Sequence, residues 1–387
     1  MPDGEAIFPD TPLQSYTSAI RPTASRVLSP PPLQGKRYAR APVVVEWEAT
    51  RACSLACRQC RPYPIPERHG NELTTEEVRR MFEQIRAFST PPPEVLVSGG
   101  DVLERDDLFE LLAYGAGLGL DLTVHLCPTD RLTRDAVRRL KEAGVSSVSL
   151  GLDGPDAAVH DGVRGTPGSF DRVVAAAGWV REAGLALRIS TLVTETTMIR
   201  LEDVPRLVGE LGAAQWAVEF PVPVPGDAGQ RSINAWQYGV VMRWLADLSQ
   251  NTTFSVVAVN GPQWHRLAFQ RLRDQGVPLA RMRTTAEGQR FGLRDGRGML
   301  YVARGGDVYP SRHLRLPAGN VRTRSLVEIY RRGQLFAVLR DENRLRGKCG
   351  LCPFRSLCGG SRARAFAMTG DPLGSDPWCL FSPWRSG

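Results

Sequence analysis

The chain carries eight cysteines, and seven of them fall into two groups. Cys53-Ser-Leu-Ala-Cys57-Arg-Gln-Cys60 puts three thiolates on one short loop. Three ligands leave a tetrahedral zinc site one short. They suffice for three irons of a [4Fe–4S] cube, since such clusters are held by cysteine thiolates, and the fourth iron is then open to another ligand. The second group, Cys349, Cys352, Cys358 and Cys379, supplies four thiolates and can close a site completely. By residue chemistry alone that site is either a zinc site or an iron–sulfur cluster. Where thiols are kept reduced, clustered cysteines read as metal or redox ligands rather than disulfides. Cys127, alone in the apolar stretch Leu122–Cys127, reads as a small buried hydrophobe.

These groups need a scaffold, and hydrophobic periodicity supplies one from Val43 onward. Strands are expected over 43–48, 94–98, 122–126, 146–150, 186–193 and 216–220. Helices are expected between and after them, over 74–88, 105–117, 133–143, 169–183, 201–211 and 235–248. Thr74-Thr-Glu-Glu and Thr133-Arg-Asp-Ala offer helix N-caps, and Gly144 and Gly184 stand where helix-ending glycines belong. Six β–α units in succession imply a parallel sheet, because each crossover returns the chain in the same direction. Six is fewer than the eight of a closed barrel, so the rhythm alone leaves a partial barrel and a doubly wound sheet both open. In either, the first cysteine loop directly follows the first strand, at the edge where such sheets bind ligands.

Past residue 250 the rhythm stops. Residues 261–297 hold eight arginines against Asp274, Glu287 and Asp295, which reads either as a solvated basic insertion or as a surface receiving an anionic substrate. A hairpin is expected where Met299–Ala303 and Asp307–Tyr309 flank Arg304-Gly-Gly, and a helix over 325–340. The first 42 residues contain eight prolines and little periodicity, and are expected to form an extended arm. The formal net charge is +8, compatible with nucleic acid, an anionic surface or an acidic small substrate as partner. A composition 42% hydrophobic and 23% charged excludes a wholly disordered chain. The longest apolar run, Leu111–Leu120, falls far short of the ~20 residues that span a bilayer. Met1-Pro-Asp-Gly-Glu shows no secretory signal pattern, so no membrane association and a cytoplasmic location are expected.

The Cys-x3-Cys-x2-Cys loop after the first strand resembles the signature of the radical S-adenosylmethionine (SAM) superfamily. That resemblance implies a partial (β/α)6 TIM-like barrel of α/β class, with Cys53, Cys57 and Cys60 holding the [4Fe–4S] cluster that cleaves SAM to a 5′-deoxyadenosyl radical. Ser98-Gly-Gly-Asp101 is similar to the family's Gly-Gly-Glu motif, with Asp101 for Glu and Val102 for Pro. It implies that Gly99, Gly100 and Asp101 meet the SAM amino group. Ser149-Leu-Gly-Leu-Asp153-Gly is similar to the segment near the SAM ribose and methionine, and His160-Asp-Gly-Val-Arg164-Gly resembles the maturase branch. Ser149, Asp153 and Arg164 are therefore expected at SAM, Arg164 as a partner for a carboxylate. Ser190 and Glu219 are expected to face the barrel interior.

The tail, Cys349-x2-Cys352-x5-Cys358-x20-Cys379, looks like a SPASM/Twitch extension with an auxiliary [4Fe–4S] cluster. Ser311 stands where that pattern often has a cysteine, and Ser361 and Arg362 occupy the place of a missing Cys-x3-Cys. Both losses fall on one of the pattern's two clusters, so one auxiliary cluster is expected, and two [4Fe–4S] clusters in all. The segments from Val44 to Cys53 and after Cys358 resemble enzymes that modify haem precursors. That implies an oxidoreductase or lyase acting on a carboxylate-bearing tetrapyrrole or natural-product intermediate, for example by oxidative decarboxylation, with a flavodoxin or ferredoxin as reductant. A peptide maturase acting on a ribosomal precursor peptide is the alternative within the superfamily. The alternative outside it is a non-catalytic zinc protein binding nucleic acid, which no RNA-binding aromatic motif or helix-turn-helix supports. The expected domains are an arm over 1–42, the barrel over 43–250, a basic connecting segment over 251–298 and a small cysteine-rich auxiliary-cluster domain over 299–387.

Overall fold

The computed structural model describes residues 37–60, 65–223 and 232–383. The greater part of the expected N-terminal arm, residues 1–36, lies outside the described residues. All six expected strands are present within two residues of their expected ends: β1 (Val44–Thr50), β2 (Glu94–Gly99), β3 (Leu122–Leu126), β4 (Ser147–Gly151), β5 (Ala186–Leu192) and β6 (Gln215–Glu219). Each pairs parallel with the next.

Two further strands join this parallel run. β7 (Ser255–Val259) pairs with β6, and β8 (Met299–Val302) pairs with the free edge of β1. β9 (Asp307–Tyr309) and β10 (Gly319–Asn320) continue the sheet antiparallel. The order is β10-β9-β8-β1-β2-β3-β4-β5-β6-β7, with β10 and β7 at its two ends, so the barrel stays open. The segment expected as a basic connection over 251–298 is thus corrected. It opens with a sheet strand and continues with the helix Gln263–Asp274. The short run Ser-Val-Val-Ala-Val has too few residues for its alternation to stand out beside the arginines that follow it.

The helices between the strands are α1 (Thr75–Arg86), α2 (Leu108–Gly117), α3 (Arg134–Glu142), α4 (Ala157–Arg164), α5 (Ser169–Glu182), α6 (Val204–Glu210) and α7 (Ala235–Leu248). Thr74 and Glu77 form a capping box at α1, whose Val78, Met81, Phe82 and Ile85 fall on one face at helical spacing and are buried. Phe82 meets Trp47 of β1 edge to face, with ring centroids 5.7 Å apart. α2 starts later than expected because Asp101 caps a tight turn at Val102–Glu104 ahead of it. α8 (Gln263–Asp274) lies between β7 and β8, and after β10 come α9 (Leu326–Arg332), α10 (Gln334–Arg340) and α11 (Arg362–Thr369). The single helix expected over 325–340 is broken at Gly333, whose ψ of 128° is extended.

Alternation along the strands separates two environments. Val45, Trp47, Val95, Val97, Val124, Val148, Ile189, Trp216 and Val218 pack into the main core under the helices. The intervening positions, among them Glu46, Glu48, Ser98, Thr123, His125, Ser149, Arg188 and Glu219, carry polar side chains on the other face. Several of these bond one another: Ser98 to Glu46, Thr123 to Ser147, and His125 to Ser149. Burying each large apolar side chain contributes about 1.5–3 kcal/mol, so the helix side of the sheet stabilises while the polar side is left for chemistry. Among the described residues no helix is long and apolar enough to cross a membrane.

Candidate active site and cysteine centres

The first cysteine loop leaves β1 at Thr50 and is tied down at several points. Ala52 bridges Ile65, and Cys53 N–H donates to the Ile65 carbonyl at 3.0 Å. Arg58 N–H donates to the carbonyl of Arg164 at 2.9 Å. The amide of Gln59, between Cys57 and Cys60, donates to Asp153 at 2.8 Å. Burial, reinforced by Cys57 and Cys53, pushes the Cys60 thiol up to about 11. Three partly exposed sulfurs on one loop are a donor set that a metal centre would relieve of its protons.

Gly99, Gly100 and Asp101 lie directly against this loop. Gly100 N–H donates to Thr50 O and Asp101 N–H to Ala52 O, both at 2.7 Å. A Cβ on Gly100 would stand 2.4 Å from the Ala52 carbonyl oxygen. The glycine is therefore required by the approach of two backbones, before any ligand is considered. Gly100→Ala is expected to cost about 1–3 kcal/mol of stability, as overpacking does, and to reduce iron loading of the first cysteine group. Denaturant unfolding and iron analysis check this, and a variant equal to the parent in both would contradict it.

Asp101 sits differently from its expected role. Its side chain is 0% exposed, accepts from Leu103 N–H at 3.1 Å and from the Thr129 hydroxyl at 2.5 Å, and is raised in pKa by that burial. The Gly100 carbonyl accepts from the Cys127 thiol at 3.1 Å. Cys127 is thus more than a buried hydrophobe. Its hydrogen bond with Cys53 draws the Cys53 thiol below its ordinary value, against the opposing effect of burial. Only the parallel pairing that lays the end of β3 beside the Gly-Gly turn brings it there.

Ser149, Asp153 and Arg164 converge at the end of β4. Asp153 accepts from Gln59, from Arg164 Nε at 2.9 Å and from Leu192 N–H at 3.0 Å. The carboxylate that Arg164 meets is therefore the chain's own. Ser149 Oγ lies 3.2 Å from His125 Nδ1. Burial, together with the Arg312 and Arg164 guanidiniums, pushes His125 down to about 4, so the imidazole is neutral at physiological pH. On the same polar face Arg312 reaches Glu219 at 2.9 and 3.0 Å and Glu46 at 3.6 Å. Arg315 stacks over Tyr301 and Tyr309 and donates to the Tyr301 hydroxyl. Glu219 is where the sequence places it, but Gln59, Arg312 and Arg315 carried no spacing signal. Ser311, at the position of the missing cysteine, donates to Asp295 and caps the turn that delivers Arg312.

The four tail cysteines come together. Cys349, Cys352, Cys358 and Cys379 line one concavity of about 350 Å³, mouth included, with Arg266, Lys348, Gly359, Gly360 and Phe381. Burial pushes Cys352 up to about 11 and raises Cys358 and Cys379, and the other thiols add to each shift. Gly360 N–H points at Cys358 Sγ and Asp376 N–H at Cys349 Sγ, each at 3.4 Å. Amides aimed at sulfur suit thiolates held on a metal centre. Among the described residues no three thiol, imidazole or carboxylate side chains close tightly around one ion.

Comparison with known proteins adds the family context. Residues 47–208 match the profile of the Radical SAM superfamily. An AdoMet-dependent heme synthase of Nitratidesulfovibrio vulgaris is 33% identical over 88% of this chain and 93% of its own. A pre-heme d1 synthase of Dinoroseobacter shibae is 25% identical over 92% of this chain and 91% of its own. Among solved structures, Streptococcus suis SuiB bound to S-adenosylmethionine superposes with a TM-score of 0.69, covering 88% of this chain and 78% of that one at 15% identity. That last likeness is one of fold.

Proposed function

Because the chain belongs to the radical SAM superfamily, we propose that it modifies carboxylate-bearing side chains of a tetrapyrrole, by oxidative decarboxylation or a similar step. The observation that carries this reading is the likeness to a heme synthase over nearly the whole of both chains. Cys53, Cys57 and Cys60 hold the SAM-cleaving [4Fe–4S] cluster. When bound there, SAM supplies a 5′-deoxyadenosyl radical, which takes a hydrogen atom from the substrate.

The chain's own residues orient and shield. The Gly100 carbonyl is an acceptor for the ammonium of SAM, and the Asp153–Arg164–Gln59 contacts hold the cysteine loop against the strand ends. Arg315, stacked on Tyr301 and Tyr309, is the cation offered to a substrate carboxylate, while Arg312 is held by the chain's own Glu219 and Glu46. His125, held neutral, adds no competing charge. A carboxylated side chain that has lost a hydrogen atom becomes an alkene by releasing CO2 and one electron. That electron needs an acceptor, and the tail cysteines are assigned to it as the ligands of a second [4Fe–4S] cluster. A flavodoxin or ferredoxin is the electron donor to the first, and a reducing compartment such as the cytoplasm keeps the thiols available.

The test is anaerobic incubation of the reconstituted protein with SAM, a reductant and a propionate-bearing tetrapyrrole. The expected result is 5′-deoxyadenosine together with a product lacking CO2 and two hydrogens per modified side chain. Turnover with a precursor peptide and none with any tetrapyrrole would overturn the substrate assignment while leaving the radical chemistry intact.

A further inference from the structure

Two guanidinium groups are buried at the tail site without a carboxylate partner among the described residues. Arg294 is 3% exposed, and none of its three side-chain nitrogens has a hydrogen-bond partner. The group lies flat against Gly359: a Cβ there would stand 2.8–3.0 Å from its Cζ, Nε and Nη1. Arg294 therefore backs onto Cys358-Gly359-Gly360, one wall of the concavity that the four cysteines share. Gly359 has φ 69°, so glycine suits both the turn and the space.

Arg362 is 0% exposed. It donates to the carbonyls of Gly360, Pro372 and Gly374, and its Nη2 reaches Cys349 Sγ at 3.6 Å. Neighbouring buried arginines are matched by acids, Arg364 by Asp376 and Arg297 by Glu342. The carboxylate of Asp295 caps α11 through the N–H groups of Arg362 and Ala363.

A buried guanidinium with no partner is strongly unfavourable unless an anion lies close by. Four thiolates around a [4Fe–4S] core are such an anion, and reduction makes it one unit more negative. We propose that Arg294, with Arg362 behind Cys349, is the built-in counter-charge of the tail cluster and raises its reduction potential so that it can accept the substrate's electron. This rests on the reading of the tail as an iron–sulfur site. A fixed cation stabilises the more negative state, and the poorly solvated surroundings strengthen the effect. The N–H groups aimed at Cys358 and Cys349 act in the same direction.

The test uses the full chain with Cys53, Cys57 and Cys60 changed to alanine, so that a single cluster titrates. Metal analysis comes first: about four irons per chain keep the premise, and one zinc without iron removes it. In an EPR-monitored titration, Arg294→Gln is expected to make one-electron reduction about tenfold less favourable, a fall of about 59 mV. Arg294→Lys, which keeps the charge, is expected to stay near the parent midpoint. An unmoved midpoint in Arg294→Gln with its irons retained overturns the proposal. Should Arg294→Gln hold no iron, the lysine variant decides. A parent-like midpoint supports the proposal. A chain folded by circular dichroism but with a shifted midpoint or no cluster overturns it, because charge is then not what the site requires.

Discussion

Replacing Cys53, Cys57 and Cys60 together by alanine is expected to lower the iron of anaerobically prepared protein from about eight to about four atoms per chain. Formation of 5′-deoxyadenosine is expected to stop altogether. The effect is this large because the three thiolates act as one unit: without them no iron is left open to SAM, and no other group on the loop replaces them. Cys127 bonds Cys53 but belongs to another segment, where its thiol already donates to Gly100. The four irons expected to remain are those of the proposed second cluster, assigned to the tail cysteines, which line a separate concavity. Iron and sulfide analysis with product chromatography makes the check. Continued 5′-deoxyadenosine formation would sink the assignment of the first loop. Four irons with one zinc in the parent protein would leave that loop intact and remove the tail as an electron acceptor.

The second large effect concerns stability. Asp376→Ala is expected to cost about 3–5 kcal/mol and to release metal from the tail, because it strands the Arg364 guanidinium in the interior. Both side chains are fully buried. Asp376 accepts from Arg364 at 2.8 and 2.9 Å, from Gln263 at 2.8 Å and from Ser361 N–H at 2.8 Å. Arg364 also lies over the adjoining rings of Tyr238 and Trp378. The backbone N–H of Asp376 also points at Cys349, so the same residue anchors the cysteine wall. Burial alone would raise the Asp376 carboxyl, but the Arg364 charge and the donors around it outweigh that and hold it down at about 2.

The sign of the pH dependence follows from that pKa. The folded carboxyl titrates below the unfolded value of 3.8, so its stabilisation is present above pH 4 and is lost as the pH falls towards 2. Denaturant midpoints of parent and Asp376→Ala should converge over that acid range. A gap that stays constant down to pH 2 would contradict the assignment.

Both cysteine groups and the rhythm of six strands and their helices could be read directly, because local spacing encodes them. Three thiolates within one loop need no tertiary information to be recognised as one donor set. The capping box at Thr74 is as local, since it joins residues three apart. Alternation along β1 to β6 likewise separates a helix-facing apolar side from a polar side.

Position relative to distant segments was not legible. Arg312 meets Glu46 across more than 260 residues of chain, and Gln263 meets Asp376 across 113, so neither pair leaves a spacing signal. Asp101 shows the same limit. The Gly-Gly-Asp pattern marks the turn, but only packing against Thr129 and Leu103 turns the carboxylate inward. Arg294 is the sharpest case, one arginine among eight in a basic stretch. Its exposed neighbours Arg281 and Arg283 are solvated surface charges, whereas Arg294 is buried against Gly359. Local spacing therefore decides which ligands this chain can offer. Burial, which depends on what the remote parts of the sheet and tail bring alongside, decides the charge, protonation and partner of each group.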